Sequence, residues 1–136
     1  MILVWVVVVL GVGLLAYIRL APHDVARWHQ GATGATIGET RLQGGYVWRE
    51  DVGAEGPAKL TRLDQVIRAT PRTEPLAGSV EDGQATYVTR SKWFGFPDYT
   101  TVTLSGDVLE VYGRSRFGKS DLGVNAQRIK GWLAQL

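Results

Sequence analysis

The sequence predicts an α+β fold: an N-terminal transmembrane helix followed by a two-layer sandwich, in which an antiparallel sheet carries two helices on one face. Three observations predict it. Residues 1–18 are apolar and uncharged. Residues 57–70 and 120–136 repeat apolar side chains at helical spacing. Between those two segments, residues 73–114 alternate with a period of two and are broken by turn residues.

The apolar segment is the first element. At helical rise, residues 1–18 extend over about 27 Å, enough for the hydrocarbon core of a bilayer. Trp5 and Tyr17 lie near its two ends, where aromatic rings favour the interface, and Arg19 closes it. The alternatives are a cleaved signal peptide and a buried core helix, but no basic residue precedes the segment as in a signal peptide. We expect residues 1–20 to be an uncleaved single-pass anchor in a membrane, most simply a bacterial inner membrane.

The expected division of the chain is an anchor over residues 1–20, a linker over 21–44 and an α+β domain over 45–136. The linker is rich in glycine, which is typical of turns, so we expect it to skirt the surface of the domain. Arg19 and Arg27 follow the anchor and no basic residue precedes it, which favours a cytoplasmic domain. This count is small, and the side of the membrane stays open.

The first elements of the domain are a strand and a helix. Residues 46–48 predict a short strand. Residues 57–70 predict a helix, because Pro57 suits its first position and Pro71 stops it. Residues 73–80 follow as an edge strand, since proline and glycine interrupt them.

Three more strands and a helix complete the domain. Strands are expected over residues 84–93, 99–104 and 108–114, and a tight hairpin at 105–107 joins the last two. The final helix is expected from about Ser120. Its apolar stripe consists of Leu122, Ala126, Ile129, Leu133 and Leu136.

Composition excludes several classes of protein. The chain has no cysteine, which excludes disulfides, cysteine zinc sites, thiol catalysis and lipid attachment at cysteine. Residues 84–136 carry seven Lys and Arg against four Asp and Glu. This basic excess indicates an anionic partner or a membrane surface and is too small for nucleic acid. No cofactor is expected, and no metal either, because the spacing of His23, Asp24 and His29 matches no standard site.

Residues 113–120 match the phosphate-binding P-loop pattern, GxxxxGK[ST]. In that motif, backbone amides wrap a phosphate, Lys119 would neutralise its charge and Ser120 would hold magnesium. A nucleotidase of this class needs a parallel sheet and a further strand with an acidic ligand, whereas the strands here predict an antiparallel sheet. We expect the match to be accidental. The nucleophile pattern GxSxG also fails here, because the second glycine comes one residue late.

Basic residues gather before the final helix, whose N-terminus favours anions. We therefore consider a site for an anion or a lipid headgroup. The alternative is structural: Ser120 caps the helix, while Asp121 stabilises its first turn and pairs with a nearby Arg. The basic residues before the helix are Arg114, Arg116 and Lys119, and we expect Arg90 and Lys92 on a neighbouring strand to add to the site.

An aromatic cluster is expected in the loop before the strand at 99–104. It contains Trp93, Phe94 and Phe96. Packing in the core or as a lid is its expected role, and a binding platform is the alternative.

Two segments carry a family resemblance. Residues 91–98 read SKWFGFPD, and residues 114–125 read RSRFGKSDLGVN. Their Phe-x-Asp turn and Arg-Ser-x-x-Gly-x-Ser-Asp-Leu-Gly-x-Asn run resemble the family known as domain of unknown function 1499, over roughly residues 45–136. Residues 21–29 resemble its membrane-anchored members. The resemblance implies no activity, because the family is uncharacterised, and its pattern does not require Lys119. It singles out Asp98, Arg114, Ser115, Gly118, Ser120, Asp121, Gly123 and Asn125.

The leading expectation is a non-enzymatic, membrane-anchored domain that binds a protein partner or an anionic ligand near the bilayer. It rests on the anchor, the basic C-terminal part and the lack of a catalytic set in the sequence. The alternative is an enzyme of unknown class that uses residues 114–125 together with Asp98. The expected ligand-binding residues are Arg90, Lys92, Asp98, Arg114, Ser115, Arg116, Lys119, Ser120, Asp121 and Asn125.

Overall fold

A computed structural model describes residues 1–136, which form four α-helices and six strands. The helices are α1 (Ile2–Leu20), α2 (Val25–Trp28), α3 (Gly56–Arg68) and α4 (Val124–Leu133). The strands are β1 (Gly38–Leu42), β2 (Gly45–Asp51), β3 (Thr73–Ser79), β4 (Gln84–Arg90), β5 (Pro97–Ser105) and β6 (Val108–Ser115). A short 3-10 turn, Gly53–Glu55, leads into α3.

All six strands belong to one antiparallel sheet with the order β1-β2-β6-β5-β4-β3. The turn between β5 and β6 contains Gly106, whose φ of +59° suits a tight hairpin. β3 is an edge strand, and its register with β4 shifts after Pro75, which cannot donate a ladder hydrogen bond. The predicted α+β fold is confirmed.

Helices α3 and α4 pack on one face of this sheet, as predicted, and form the main core with it. Apolar side chains at helical spacing lie on one face of each helix, and alternate residues of the central strands lie on one face of the sheet. These faces pack against each other. Burying each large side chain contributes about 1.5–3 kcal/mol. The members of this core include Leu60, Leu63, Ile67, Tyr87, Val102, Leu109, Val111, Ile129 and Trp132.

The other sheet face is covered by residues 21–35, which we call the N-terminal cover. The indole of Trp28 stacks on the ring of Tyr99, with centroids 4.1 Å apart. The carboxylate of Glu110 accepts a hydrogen bond from the Ala32 N–H at 2.7 Å. Much of the segment expected to skirt the surface as a linker therefore packs on the sheet. The sequence did not predict this packing. The segment is rich in glycine, and a single buried tryptophan produces no periodic pattern.

Several element bounds differ from those expected. The sheet gains β1, which pairs with β2 over residues 38–42, inside the expected linker. β4 ends at Arg90 rather than at residue 93, and α4 begins at Val124 rather than near Ser120. Leu122, expected in the apolar stripe of the final helix, lies outside the helix and is 92% exposed.

Helix α1 is long and apolar enough to cross a membrane, because it has 19 residues and Arg19 is its one charged side chain. A helix of this kind at an N-terminus is a membrane span or a signal sequence. Only its last turns meet the domain: Ile18 is 3% exposed, and its carbonyl accepts a hydrogen bond from the Arg90 guanidinium at 3.2 Å. The end of α1 is therefore fixed against the strands that lead to the candidate site.

Candidate functional site

The residues of the family motif lie where β6 ends and α4 begins. Ser115, the last residue of β6, is the register partner of Asp98 at the start of β5. The Ser115 hydroxyl donates to the Asp98 carboxylate at 2.8 Å. Two segments far apart in sequence, residues 91–98 and 114–125, therefore meet at one end of the sheet.

A polar network joins these strands to α4. We use this name for Asp98, Ser115, Asp121, Asn125 and Arg128. The Arg128 guanidinium donates to Asp98 at 3.1 Å and to the Asn125 side-chain oxygen at 3.2 Å. The Asn125 amide nitrogen donates to Asp121 at 2.9 Å and to the Ser115 hydroxyl at 3.4 Å. No buried side-chain nitrogen or oxygen in the protein lacks a partner.

The burial of Asn125 accounts for the presence of asparagine at this position of the family motif. Asn125 is 0% exposed, although asparagine is a poor helix former. Its side chain lies against Gly113 of β6, where a Cβ atom would come within 2.8 Å of the Asn125 oxygen. Close packing of α4 on β6 therefore needs a glycine on the strand and a fully hydrogen-bonded polar residue on the helix.

Asp121, rather than Ser120, holds the first turn of α4. Its carboxylate accepts hydrogen bonds from the backbone N–H of Gly123 at 2.9 Å and of Asn125 at 3.1 Å. Burial alone would raise its pKa, but these bonds and the one from the Asn125 side chain outweigh burial and lower the pKa of Asp121. The expected cap at Ser120 is wrong: its hydroxyl accepts from Leu122 N–H, two residues before the helix. The expected pairing of Asp121 with an arginine does not occur either.

The P-loop match is accidental, as expected. A P-loop belongs to a parallel sheet, whereas every strand pair here is antiparallel. The match to residues 113–120 also ends before the helix, because α4 begins at Val124.

Arg114 lies on the opposite sheet face from the polar network. Its guanidinium donates to the Thr101 hydroxyl at 2.8 Å and to the backbone oxygen of Trp28. It lies over the Tyr112 ring, 4.2 Å from the centroid. Burial lowers the pKa of Arg114 to about 10. The residue therefore holds the N-terminal cover on the sheet.

The other expected basic residues do not form a single patch. The Arg116 guanidinium donates to the Pro22 carbonyl at 3.1 Å, and Arg90 donates to the Gly95 carbonyl at 2.9 Å. Lys119 is exposed in the loop before α4. Lys92 is also outside the network and lies over the Trp93 ring at 5.2 Å.

A cleft of about 620 Å³ opens beside the polar network. It lies between the segment after α3, the starts of β5 and α4, and the loop after β6. Its charged lining residues are Arg72, Arg90, Asp98, Asp121 and Arg128, and its larger apolar ones are Phe96, Phe117, Leu122 and Val124. Of the ten expected ligand-binding residues, the cleft brings together Arg90, Asp98, Ser115, Ser120 and Asp121.

Two lining residues, Arg72 and Arg128, were not expected from the sequence. Arg128 follows Asn125 by one helical turn, and that spacing is the signal that points to it. Arg72 follows Pro71 before an edge strand, and no pattern marks it. Each uses only one guanidinium nitrogen in hydrogen bonds to the protein, so both keep donors for a ligand.

Ser115 carries the one hydroxyl group of the polar network. The Ser115 hydroxyl is bonded to a carboxylate, while both histidines lie on the other sheet face, where His23 contacts the Tyr99 hydroxyl at 2.6 Å and His29 contacts the Thr86 hydroxyl at 2.8 Å. Ser115 therefore has no histidine beside it, and the group that accepts its hydroxyl hydrogen is the Asp98 carboxylate. No group of three or more His, Cys, Asp or Glu is placed to hold a metal ion.

The chain matches no curated protein. It is similar to the crystal structure of a DUF4468 family protein from Bacteroides ovatus, with 13% identity and a TM-score of 0.35. That match covers 68% of this chain and 63% of the other. A score of this size does not define a shared fold.

A family model described as a protein of unknown function, DUF1499, matches residues 48–136. The matched segment includes all of β2 except its first three residues, both core helices and the whole polar network. The expected resemblance is thereby confirmed, and the chain belongs to the DUF1499 family.

Proposed function

We propose that the protein is a membrane-tethered binding domain. Helix α1 anchors it in a bilayer, and the cleft beside the polar network takes a ligand that has both an anionic group and an apolar part. The phosphate ester of a lipid headgroup has this chemistry, as does a small phosphorylated compound with an apolar portion.

Retention of α1 as an anchor is supported by a difference between its two parts: most of the helix is exposed, whereas its end is buried against the domain. Residues 2–17 are all exposed, which is unlike a core helix. Its end, by contrast, is integrated into the domain, since Ile18 and Ala21 are buried. Cleavage as a signal peptide would remove or expose these contacts.

The choice of an anionic ligand is supported by the charges of the lining. Arg72 and Arg128 keep guanidinium donors that bind no protein atom, and guanidinium groups suit phosphate and carboxylate oxygens. Asp98 and Asp121 also line the cleft, but their oxygens already accept hydrogen bonds within the network. The charged side chains of the lining are three arginines and two aspartates, which leaves a net positive charge.

The observation that carries the proposal is the backbone of Leu122. Arg72 and Leu122 are the only residues other than glycine with positive φ, at 57° and 55°, and both line the cleft. Such a conformation costs about 1–3 kcal/mol, and strain of this kind concentrates at binding sites. Leu122 also holds an apolar side chain 92% exposed at the cleft, where the apolar part of a ligand would cover it.

The test is a titration of the ¹⁵N-labelled full chain in nanodiscs of neutral lipid, using inorganic phosphate and then short-chain phosphatidylglycerol. We expect amide shifts in residues 115–124 and at Arg72, with tighter binding of phosphatidylglycerol because it also supplies an apolar part. Arg72→Gln should weaken both, and Leu122→Ser should weaken only the lipid.

Two exposed residues away from the cleft provide the controls. Arg41→Gln matches the charge change, and Ile37→Ser matches the loss of an exposed apolar side chain. Neither should alter the titration. An absence of shifts at millimolar concentration of both probes, or equal weakening by the control variants, would contradict the proposal.

A further inference from the structure

The loop between β4 and β5 exposes three aromatic side chains. We call residues 91–96 the aromatic loop. Trp93 is 77% exposed, Phe94 55% and Phe96 39%. The expected packing against the core does not occur for Trp93 and Phe94. Adjacent exposed aromatic residues are uncommon on soluble surfaces and mark a surface that binds something.

The aromatic loop is attached to the end of α1. The Arg19 guanidinium donates to the Trp93 carbonyl at 2.9 Å. Gly95 has a φ of +73°, and a Cβ atom there would lie 3.1 Å from the Arg19 side chain. Glycine therefore permits both the turn and the close approach of Arg19. The position of the loop relative to the apolar helix is set by these contacts.

A row of rings continues from α1 into the loop. Tyr17 of α1 packs edge-on against Phe117, with centroids 6.3 Å apart. Phe117 lies 6.3 Å from Phe96, which lies 5.8 Å from Phe94. Tyr17 is three residues before the end of α1, about 4.5 Å along its axis. The row thus begins at the level where an embedded α1 would leave the hydrocarbon.

The charges around the row are positive. Lys92 lies over the Trp93 ring at 5.2 Å, and Arg116 lies over the Phe117 ring at 5.3 Å. Residues 91–97 contain no acidic side chain. Aromatic rings flanked by Lys and Arg favour the headgroup region of a membrane, where the rings lie at the interface and the cations contact phosphate.

We propose that the aromatic loop inserts into the headgroup region of the same bilayer that α1 crosses, with Lys92 and Arg19 contacting anionic lipid. This inference rests on the anchoring of α1 stated in the proposed function. Continuity with the apolar helix favours lipid over a protein partner, because the surface lies where an embedded helix places the bilayer.

The test uses single cysteines, which the chain allows because it has none of its own. A nitroxide label is attached to Trp93→Cys or Phe94→Cys, one at a time, so that each variant keeps the other aromatic residue. The full chain is reconstituted in vesicles of phosphatidylglycerol and phosphatidylcholine. Electron paramagnetic resonance then measures collisions with oxygen, which partitions into lipid, and with a water-soluble nickel chelate.

Two further labels serve as references. Asp107→Cys lies in the β5–β6 turn, at the opposite end of the sheet, and marks water. Leu10→Cys lies in the middle of α1 and marks the hydrocarbon. Circular dichroism confirms that each labelled chain is folded.

We expect nickel accessibility at residues 93 and 94 to be at least about threefold lower than at residue 107, with oxygen accessibility raised, because interfacial residues are shielded from water. If residue 10 is shielded and residues 93 and 94 are as accessible as 107, the loop inference is overturned and the anchor stands. If residue 10 is itself accessible to nickel, the anchor fails, and the proposed function fails with it.

Discussion

The guanidinium of Arg128 in α4 donates to the carboxylate of Asp98 in β5 across 3.1 Å and ties the last helix to the sheet. Both side chains are about 85% shielded from solvent. Removing one member of such a pair leaves the other charge buried without its partner.

Arg128→Ala should therefore lower the free energy of unfolding by about 3 kcal/mol. Denaturant unfolding of the chain in mild detergent, followed by tryptophan fluorescence, measures it. Arg68→Ala is the control. Arg68 is half-exposed, and the shielded Asp64 keeps the hydrogen bond from the Tyr87 hydroxyl, so the loss should be only about 0.3–0.5 kcal/mol. Equal losses in the two variants would show that the Arg128 pair is no stronger than a surface pair.

Asp121 predicts an acid-sensitive contribution to stability. Its pKa is lowered in the folded state from an ordinary value of 3.8. Its contribution is therefore fully present above the unfolded pKa and is lost as the pH falls through the folded pKa. Asp121→Asn should remove this part of the pH dependence, as measured by unfolding from about pH 6 to about pH 2. Parallel curves for the two chains would contradict the assignment.

Gly113 and Gly131 should respond to alanine in opposite directions. A Cβ atom at Gly113 would lie 2.8 Å from the Asn125 oxygen and 3.0 Å from Ile129, whereas nothing lies within 4 Å of one at Gly131. Gly113→Ala should cost about 1–3 kcal/mol through overpacking. Gly131→Ala should stabilise the chain by about 0.5–1 kcal/mol, because alanine favours the helix. Thermal unfolding distinguishes the two signs.

Arg114→Met should loosen the N-terminal cover. The substitution removes the hydrogen bonds to Trp28 and Thr101 at a cost of about 1–3 kcal/mol. Hydrogen exchange should then rise in residues 21–35 more than in α4, and trypsin should cut faster after the exposed Arg27. Arg41→Met is the matched control on an exposed side chain. Uniform exchange throughout the chain would indicate general destabilisation instead.

His23 predicts a second, milder pH effect. Burial and the nearby guanidinium groups of Arg90 and Arg116 lower the pKa of His23 from 6.5, against a smaller opposing effect of Glu74. The unfolded chain then binds more protons between the folded pKa and 6.5, so stability falls as the pH drops through that range. His23→Gln should flatten the stability curve between about pH 7.5 and about pH 5. An unchanged slope would assign the effect to another group.

Much of the fold was predictable because its main helices and strands show periodic patterns of apolar residues in the sequence. The alternation of residues 99–104 and 108–114 predicts the central hairpin, and the helical spacing of Leu60, Leu63 and Ile67 predicts α3. The N-terminal cover was not predictable in this way. It is held by side chains that contact distant strands, as in the stacking of Trp28 on Tyr99, and such contacts leave no local pattern.

The candidate site was predictable only in part. Asp98, Ser115 and Asp121 do meet, but Arg114 and Arg116 point to the other side of the sheet. Neighbouring residues of a strand point to opposite faces, so a motif that looks continuous in sequence is divided where it runs along β6. The start of α4 was misplaced because Asp121 and Gly123 form the turn that Ser120 was expected to make.

The burial of Ile18 has a mechanical consequence. A domain joined to its anchor by a flexible linker would reorient freely relative to the membrane surface. Here the last turns of α1 are held by the sheet and the aromatic loop. With α1 embedded as proposed, the domain would keep a fixed orientation relative to the bilayer plane. Its cleft would move along the membrane only by lateral diffusion of the whole protein. Encounter with a lipid-borne ligand would then be a two-dimensional search in a fixed orientation.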